Sequence, residues 1–163
     1  MIPTDLQRAF VAELDALFGD YLITDRKKVN IFFQWLPIDT GEDEGVADIF
    51  PYVLVIMNAG EIKGRDNTGF LSENLINVSF IVGVKDDNPN RQGYQDAVNM
   101  INAIYLHFMK NQFKPLAKLF SIQQNVKWEL PDQSTDSHPF YMAALYTTWN
   151  APRIAAFEHD DLT

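Results

Sequence analysis

Val78-Ser79-Phe80-Ile81-Val82-Gly83-Val84 is followed at once by Asn88-Pro89 and by an apolar series at Tyr94, Ala97, Val98, Ile101, Ile104, Tyr105 and Phe108. The first run alternates with a period of two, so it predicts a strand with one inward side. The second recurs near 3.6 and predicts an amphipathic helix over 89–110, with Asn88 as its cap and Pro89 in its first turn. At ~1.5 Å rise per residue such a helix is about 33 Å long, enough to lie across several strands.

Working outward, Tyr52-Val53-Leu54-Val55-Ile56-Met57 is apolar on both alternating sides, as in a central strand covered on each face, and is the natural partner of the 78–84 run. The run from Val29 to Leu36 is rich in β-branched and aromatic residues and stops at Pro37, which predicts another strand. Upstream, Leu6, Phe10, Leu14, Leu17 and Phe18 have helical spacing, with Thr4 and Gln7 as a capping box and Gly19 as the stop. Downstream, Ile122, Val126, Trp128 and Leu130 alternate with polar residues. A turn-rich segment at 131–137 then leads into a strand over Phe140–Trp149, so the two make a hairpin.

The order α-β-β-β-α-β-β predicts an α+β fold, a single mixed or antiparallel sheet of about five strands with two helices mainly on one face. All 163 residues are expected to form one domain. Three segments are read as irregular: an acidic loop at 39–48, a long mobile loop at 58–73 containing Gly60, Gly64 and Gly69, and an acidic C-terminal tail at 155–163.

Composition narrows function. The sequence has 47% hydrophobic residues, ample for a core, and no cysteine, so disulfides, thiolate metal sites and thiol nucleophiles are excluded. Thirteen Lys and Arg against 22 Asp and Glu give a net charge of −9, which repels a phosphate backbone, so no sequence-specific nucleic-acid binding is expected. Met1-Ile2-Pro3-Thr4-Asp5 shows no basic-then-apolar leader and no long apolar run occurs, so neither export nor a membrane partner is expected.

The search for chemistry returns no catalytic residue, cofactor site or metal site. His107, His138 and His159 are scattered without the i, i+4 spacing of a zinc helix. The glycine-rich stretch 60–69 lacks a Gly-Lys-Ser/Thr ending and leads into no helix. In Asp39–Glu44, a calcium-loop reading fails because Glu44 stands where the sharp-turn glycine belongs and Phe50 where the bidentate glutamate belongs. The one enzyme alternative is a metal-dependent nuclease of the Glu-x-Lys type, with Asp48 and Glu61 sharing magnesium and Lys63 beside the phosphate. An extended chain between those carboxylates spans up to ~43 Å, far from shared coordination. The chain is therefore read as a non-enzyme.

The landmarks Phe50-Pro51-Tyr52-Val53-Leu54-Val55, Val78–Val84 running into Gly93-Tyr94-Gln95-Asp96-Ala97, Trp128-Glu129-Leu130-Pro131, Pro139-Phe140-Tyr141 and Trp149-Asn150-Ala151-Pro152 resemble the tail-terminator, or tail-completion, proteins of long-tailed bacteriophages. The resemblance covers residues 5–154. It implies a structural protein of a phage or prophage tail, located in the virion tail and assembled in the host cytoplasm. Such a protein forms a ring, typically hexameric, that caps the tail tube, ends its polymerisation and presents a head-joining surface. Its implied partners are further copies of the chain, the tail tube protein and a head-completion protein, with no cofactor. Head–tail connectors and tail tube proteins are the sister alternatives. For the oligomer interface the sequence offers Lys63, Arg65 and Phe70, facing Asp43 and Glu44 of a neighbour by opposite charge. Tyr52, Trp128 and Trp149 are read as core or local packing.

Overall fold

A computed structural model of the protein describes residues 4–19, 28–37, 49–65, 71–112, 114–117, 119–131 and 138–151. The acidic loop at 39–48 and the tail at 155–163 lie outside them. Helix α1 spans Thr4–Phe18 and α2 spans Gly93–Lys110; the strands are β1 (Asn30–Phe33), β2 (Tyr52–Arg65), β3 (Leu71–Lys85), β4 (Ser121–Ile122), β5 (Lys127–Glu129) and β6 (Phe140–Asn150). They form one sheet in the order β1-β2-β3-β6-β4, with β5 also on β6. β1 is parallel to β2 and the other pairs are antiparallel. The expected mixed α+β sheet is present, with six strands because the 122–130 run splits. Ile122 pairs with Trp149 and Lys127 with Tyr146, so five steps on one side meet three on the other, and the excess leaves the ladder between β4 and β5.

Both helices pack on one face. Leu6, Phe10, Leu14 and Phe18 of α1 recur every fourth residue and are buried with Ala97, Met100, Ile101, Ile104 and Phe108 of α2. They meet Val53 and Val55 of β2, the even residues Ile76–Val84 of β3, and Ala143, Leu145 and Trp149 of β6. The predicted α1 stripe is therefore real, although Thr4 is the first helical residue and not a cap.

α2 begins later than its sequence suggests. Asp86 Oδ1 accepts from the Asn88 N–H at 2.9 Å, Asn88 Oδ1 from Asn90 N–H at 3.1 Å, and Asn90 Oδ1 from Gln92 N–H at 3.0 Å. Three successive side-chain bonds to the backbone two residues on hold 86–92 in turns that compete with the helix, so Asn88 caps a turn and not α2. Tyr94 and Tyr105, expected in the buried stripe, are exposed.

No described helix covers the other face of the sheet. Its best-covered large side chain is Tyr52, only 3% exposed, whose ring lies across Gly83 on the neighbouring strand. A Cβ on Gly83 would come 2.2 Å from Tyr52 Cε1, so the glycine is needed for that close approach. Phe50 and Phe32 flank the ring at centroid distances of 5.2 and 6.3 Å, and Phe50 continues to Phe140 at 5.2 Å. Burial raises the Tyr52 pKa above its ordinary value by desolvation.

Candidate assembly surfaces

The segment 58–73, read from sequence as a loop, is largely strand. β2 continues to Arg65 and β3 starts at Leu71, and the two pair from Tyr52↔Gly83 to Arg65↔Leu71. Ladder hydrogen bonds from β3, which local sequence does not display, outweigh the cost of Gly60 and Gly64 in a strand. β6 ends at Asn150 opposite Leu75, so beyond that point β2 and β3 form a two-stranded arm projecting from the sheet. Residues 59–64 along it are exposed.

A β-bulge sets the faces of this arm. The register shifts between Met57 and Ala59, leaving Asn58 extra, and its Nδ2 donates to Ser79 Oγ at 2.5 Å. Before the bulge the even residues of β2 lie on the helix-free face; after it the odd ones do, because Ala59 pairs with Asn77 and Lys63 with Glu73. Glu61 and Lys63 therefore share one side. Gly60, Ile62 and Gly64 share the other, where Ile62 is 61% exposed between two glycines.

Among the proposed interface residues, Lys63 is paired within its own chain. Its ammonium lies 2.5 Å from Glu73 on the opposite strand, and that hydrogen bond, then the charge of Glu73, raises its pKa. Arg65 sits at the end of the arm opposite Leu71. Phe70, Asp43 and Glu44 lie outside the described residues. Sequence reasoning missed Ile62, although its period-two position between Gly60 and Gly64 was the available signal.

The outer edge of β2 is only partly covered. β1 pairs with it as far as Val55, where Gln34 N–H donates to the Val55 carbonyl at 2.9 Å. Gln34 then turns to φ 61°, ending the strand that the sequence extended to Leu36. Its side chain adds one rung, with Oε1 accepting from Met57 N–H at 2.6 Å and Nε2 donating to the Met57 carbonyl at 3.4 Å. No described strand pairs with this edge beyond that rung. Such an edge is a template for another chain.

At the opposite side of the sheet, α2 and β5 enclose a groove of about 510 Å³ floored by Ala143 and Leu145 of β6. Val98, Ile101, Tyr105, Val126, Trp128 and Leu130 form its walls. Asn99 and Asn102 supply the polar side chains of the lining, which holds no charged residue. Trp128 is 63% exposed, in contrast to the inward position expected for it, while Trp149 and Tyr52 are buried as read. The reason is register: Trp128 pairs with Leu145 at the rim, beyond the flank of α2.

The two described histidines each have a side-chain partner, and His159 lies outside the described residues. His107 Nε2 lies 2.7 Å from Glu13, joining α2 to α1 beside a cavity of about 240 Å³, and His138 Nδ1 lies 2.8 Å from the Tyr141 hydroxyl. Among the described residues no group of three or more His, Asp or Glu side chains is placed to hold a metal ion. Glu61 stands on the exposed arm, and Asp48 lies outside the described residues. Incubation with plasmid or single-stranded DNA and magnesium or manganese is expected to give no cleavage. Nicking abolished by Glu61→Gln or Lys63→Ala would restore the nuclease reading.

No family model matches the chain, and no curated protein matches it. Among solved structures it is similar to the sheath/tube terminator of an extracellular contractile injection system in its extended state. The identity is 15% and the TM-score 0.39, over 90% of this chain and 56% of that one. It is also similar to the tube-terminating cap of the anti-feeding prophage, with 11% identity and a TM-score of 0.34, over 95% of this chain and 56% of that one. The chain thus spans just over half the length of either.

Proposed function

We propose that the protein is a structural subunit of a phage-type tail that associates head to tail into a ring, capping the tail tube and offering a head-joining surface. The carrying observation is the pair of unlike exposed surfaces on opposite sides of the sheet: a projecting arm whose outer edge pairs with no described strand, and an apolar groove. Two different patches used together give a heterologous contact, which closes into a ring when the rotation between subunits permits. The sequence landmarks shared with tail terminators support the same role, and a net charge of −9 suits a ring through which DNA passes without adhering. Light scattering across salt and concentration tests the reading. Because acidic subunits repel and salt screens the repulsion, assembly is expected to strengthen with ionic strength towards about six chains per particle. A chain that stays monomeric in every condition and binds no tube end overturns it.

A further inference from the structure

The arm and the groove match in chemistry as well as in placement. The groove lining carries no charge. On the arm, the bulge at Asn58 puts Glu61, Lys63 and Glu73 on one face and leaves Ile62, between Gly60 and Gly64, on the other. That second face can therefore enter an apolar site without burying an unpaired charge, the costliest error at an interface. The flanking glycines make Ile62 the one large side chain that β2 presents on this face between 60 and 64, with Asn74 opposite it on β3, while Trp128 and Tyr105 stand exposed at the groove walls.

A chain cannot fill its own groove. Ile62 pairs with Asn74 of β3 and Ala143 with Val82, and the intervening strand spans about 27 Å at ~3.4 Å per residue. The paired arm cannot fold back over that distance. We propose that the groove between α2 and β5 receives the arm of a second copy of this chain, with Ile62 as the inserted side chain. The proposal rests on the ring reading and names its contact.

The absence of cysteine makes the geometry directly testable. An Ile62→Cys protein and a Leu130→Cys protein, mixed under mild oxidation, are expected to give a disulfide-linked dimer that neither gives alone. Separately, Ile62→Asp and Trp128→Ala are each expected to weaken self-association at least about tenfold, as loss of an interface anchor does. Mixing those two variants leaves one intact arm facing one intact groove, so dimers should form and grow no further. Both positions are exposed, so thermal melts should match the parent, and the cysteine pair remains decisive if one variant misfolds. A parent that assembles while the mixed cysteines stay unlinked and both variants assemble normally overturns the contact and leaves the ring standing. A parent that neither self-associates nor binds a tube end overturns the ring reading, and the contact falls with it.

Discussion

Phe10→Ala is expected to lower the melting temperature by roughly 10–15 °C. Phe10 is fully buried in the stripe by which α1 meets the rest of the core. Its ring makes edge contacts with Phe80, Phe108 and Trp149 at centroid distances of 5.3, 5.7 and 5.0 Å, so one side chain joins α1 to β3, α2 and β6. Truncating such a residue costs ~3–5 kcal/mol, because the cavity is only partly refilled by neighbours held in place by the sheet. Against a total stability of ~5–15 kcal/mol that is a large share. Phe10→Leu keeps most of the volume and loses the edge-to-face geometry, so a smaller loss of ~1–2 kcal/mol is expected. Thermal circular dichroism on both variants separates packing from misfolding. A shift under about 3 °C for the alanine variant would mean that α1 does not dock on the sheet as described.

The parts of the fold that were legible are those in which one side-chain period coincides with one environment. α1 is such a case: Leu6, Phe10, Leu14 and Phe18 share a stripe and all four are buried. β3 is another, since Val78, Phe80, Val82 and Val84 lie on the helix face while their neighbours do not. The start of α2 was misplaced because Asn88-Pro89 is an equally good opening for a turn, and the competition was decided by Asp86 and Asn90, whose side chains bond the local backbone.

The candidate site was less legible. Gly60 and Gly64 read as loop residues, but a strand held by twelve register pairs to β3 does not need local propensity, while Gly69 lies outside the described residues. The bulge at Asn58 also reverses the faces halfway along β2, which removes the alternation a sequence reading relies on. Charge made Lys63 conspicuous as an interface residue, whereas its carboxylate partner Glu73 is supplied by the facing strand. Ile62 was passed over for the converse reason, since its period-two place between Gly60 and Gly64 becomes a signal only once the segment is known to be strand.

Thr147→Val is expected to destabilise the protein by ~1–3 kcal/mol even though it exchanges a hydroxyl for a methyl in the core. Thr147 is 4% exposed on the helix face of β6, in a row otherwise made of Ala143, Leu145 and Trp149. Its hydroxyl donates to the Val78 carbonyl at 2.9 Å and accepts from the Trp149 indole N–H at 2.9 Å. Valine has the same shape and can do neither; the Val78 carbonyl still faces Thr147 in the β3–β6 ladder, so the loss falls on the buried indole N–H, left without an acceptor at ~1–3 kcal/mol. The indole is constrained as well: it lies edge-on to Phe10 and to Phe108 at 5.0 and 5.2 Å, so it cannot turn towards another acceptor without disturbing both. Thr147→Ser keeps the two bonds and removes only a methyl, so a loss of about 1 kcal/mol is expected. The informative quantity is the order, because burial alone ranks valine above serine and the hydrogen bonds rank serine above valine. Urea unfolding should show the valine variant with the lower midpoint and an unchanged slope. The reverse order would mean that the Trp149 indole is satisfied elsewhere and that this strand is held by apolar packing alone.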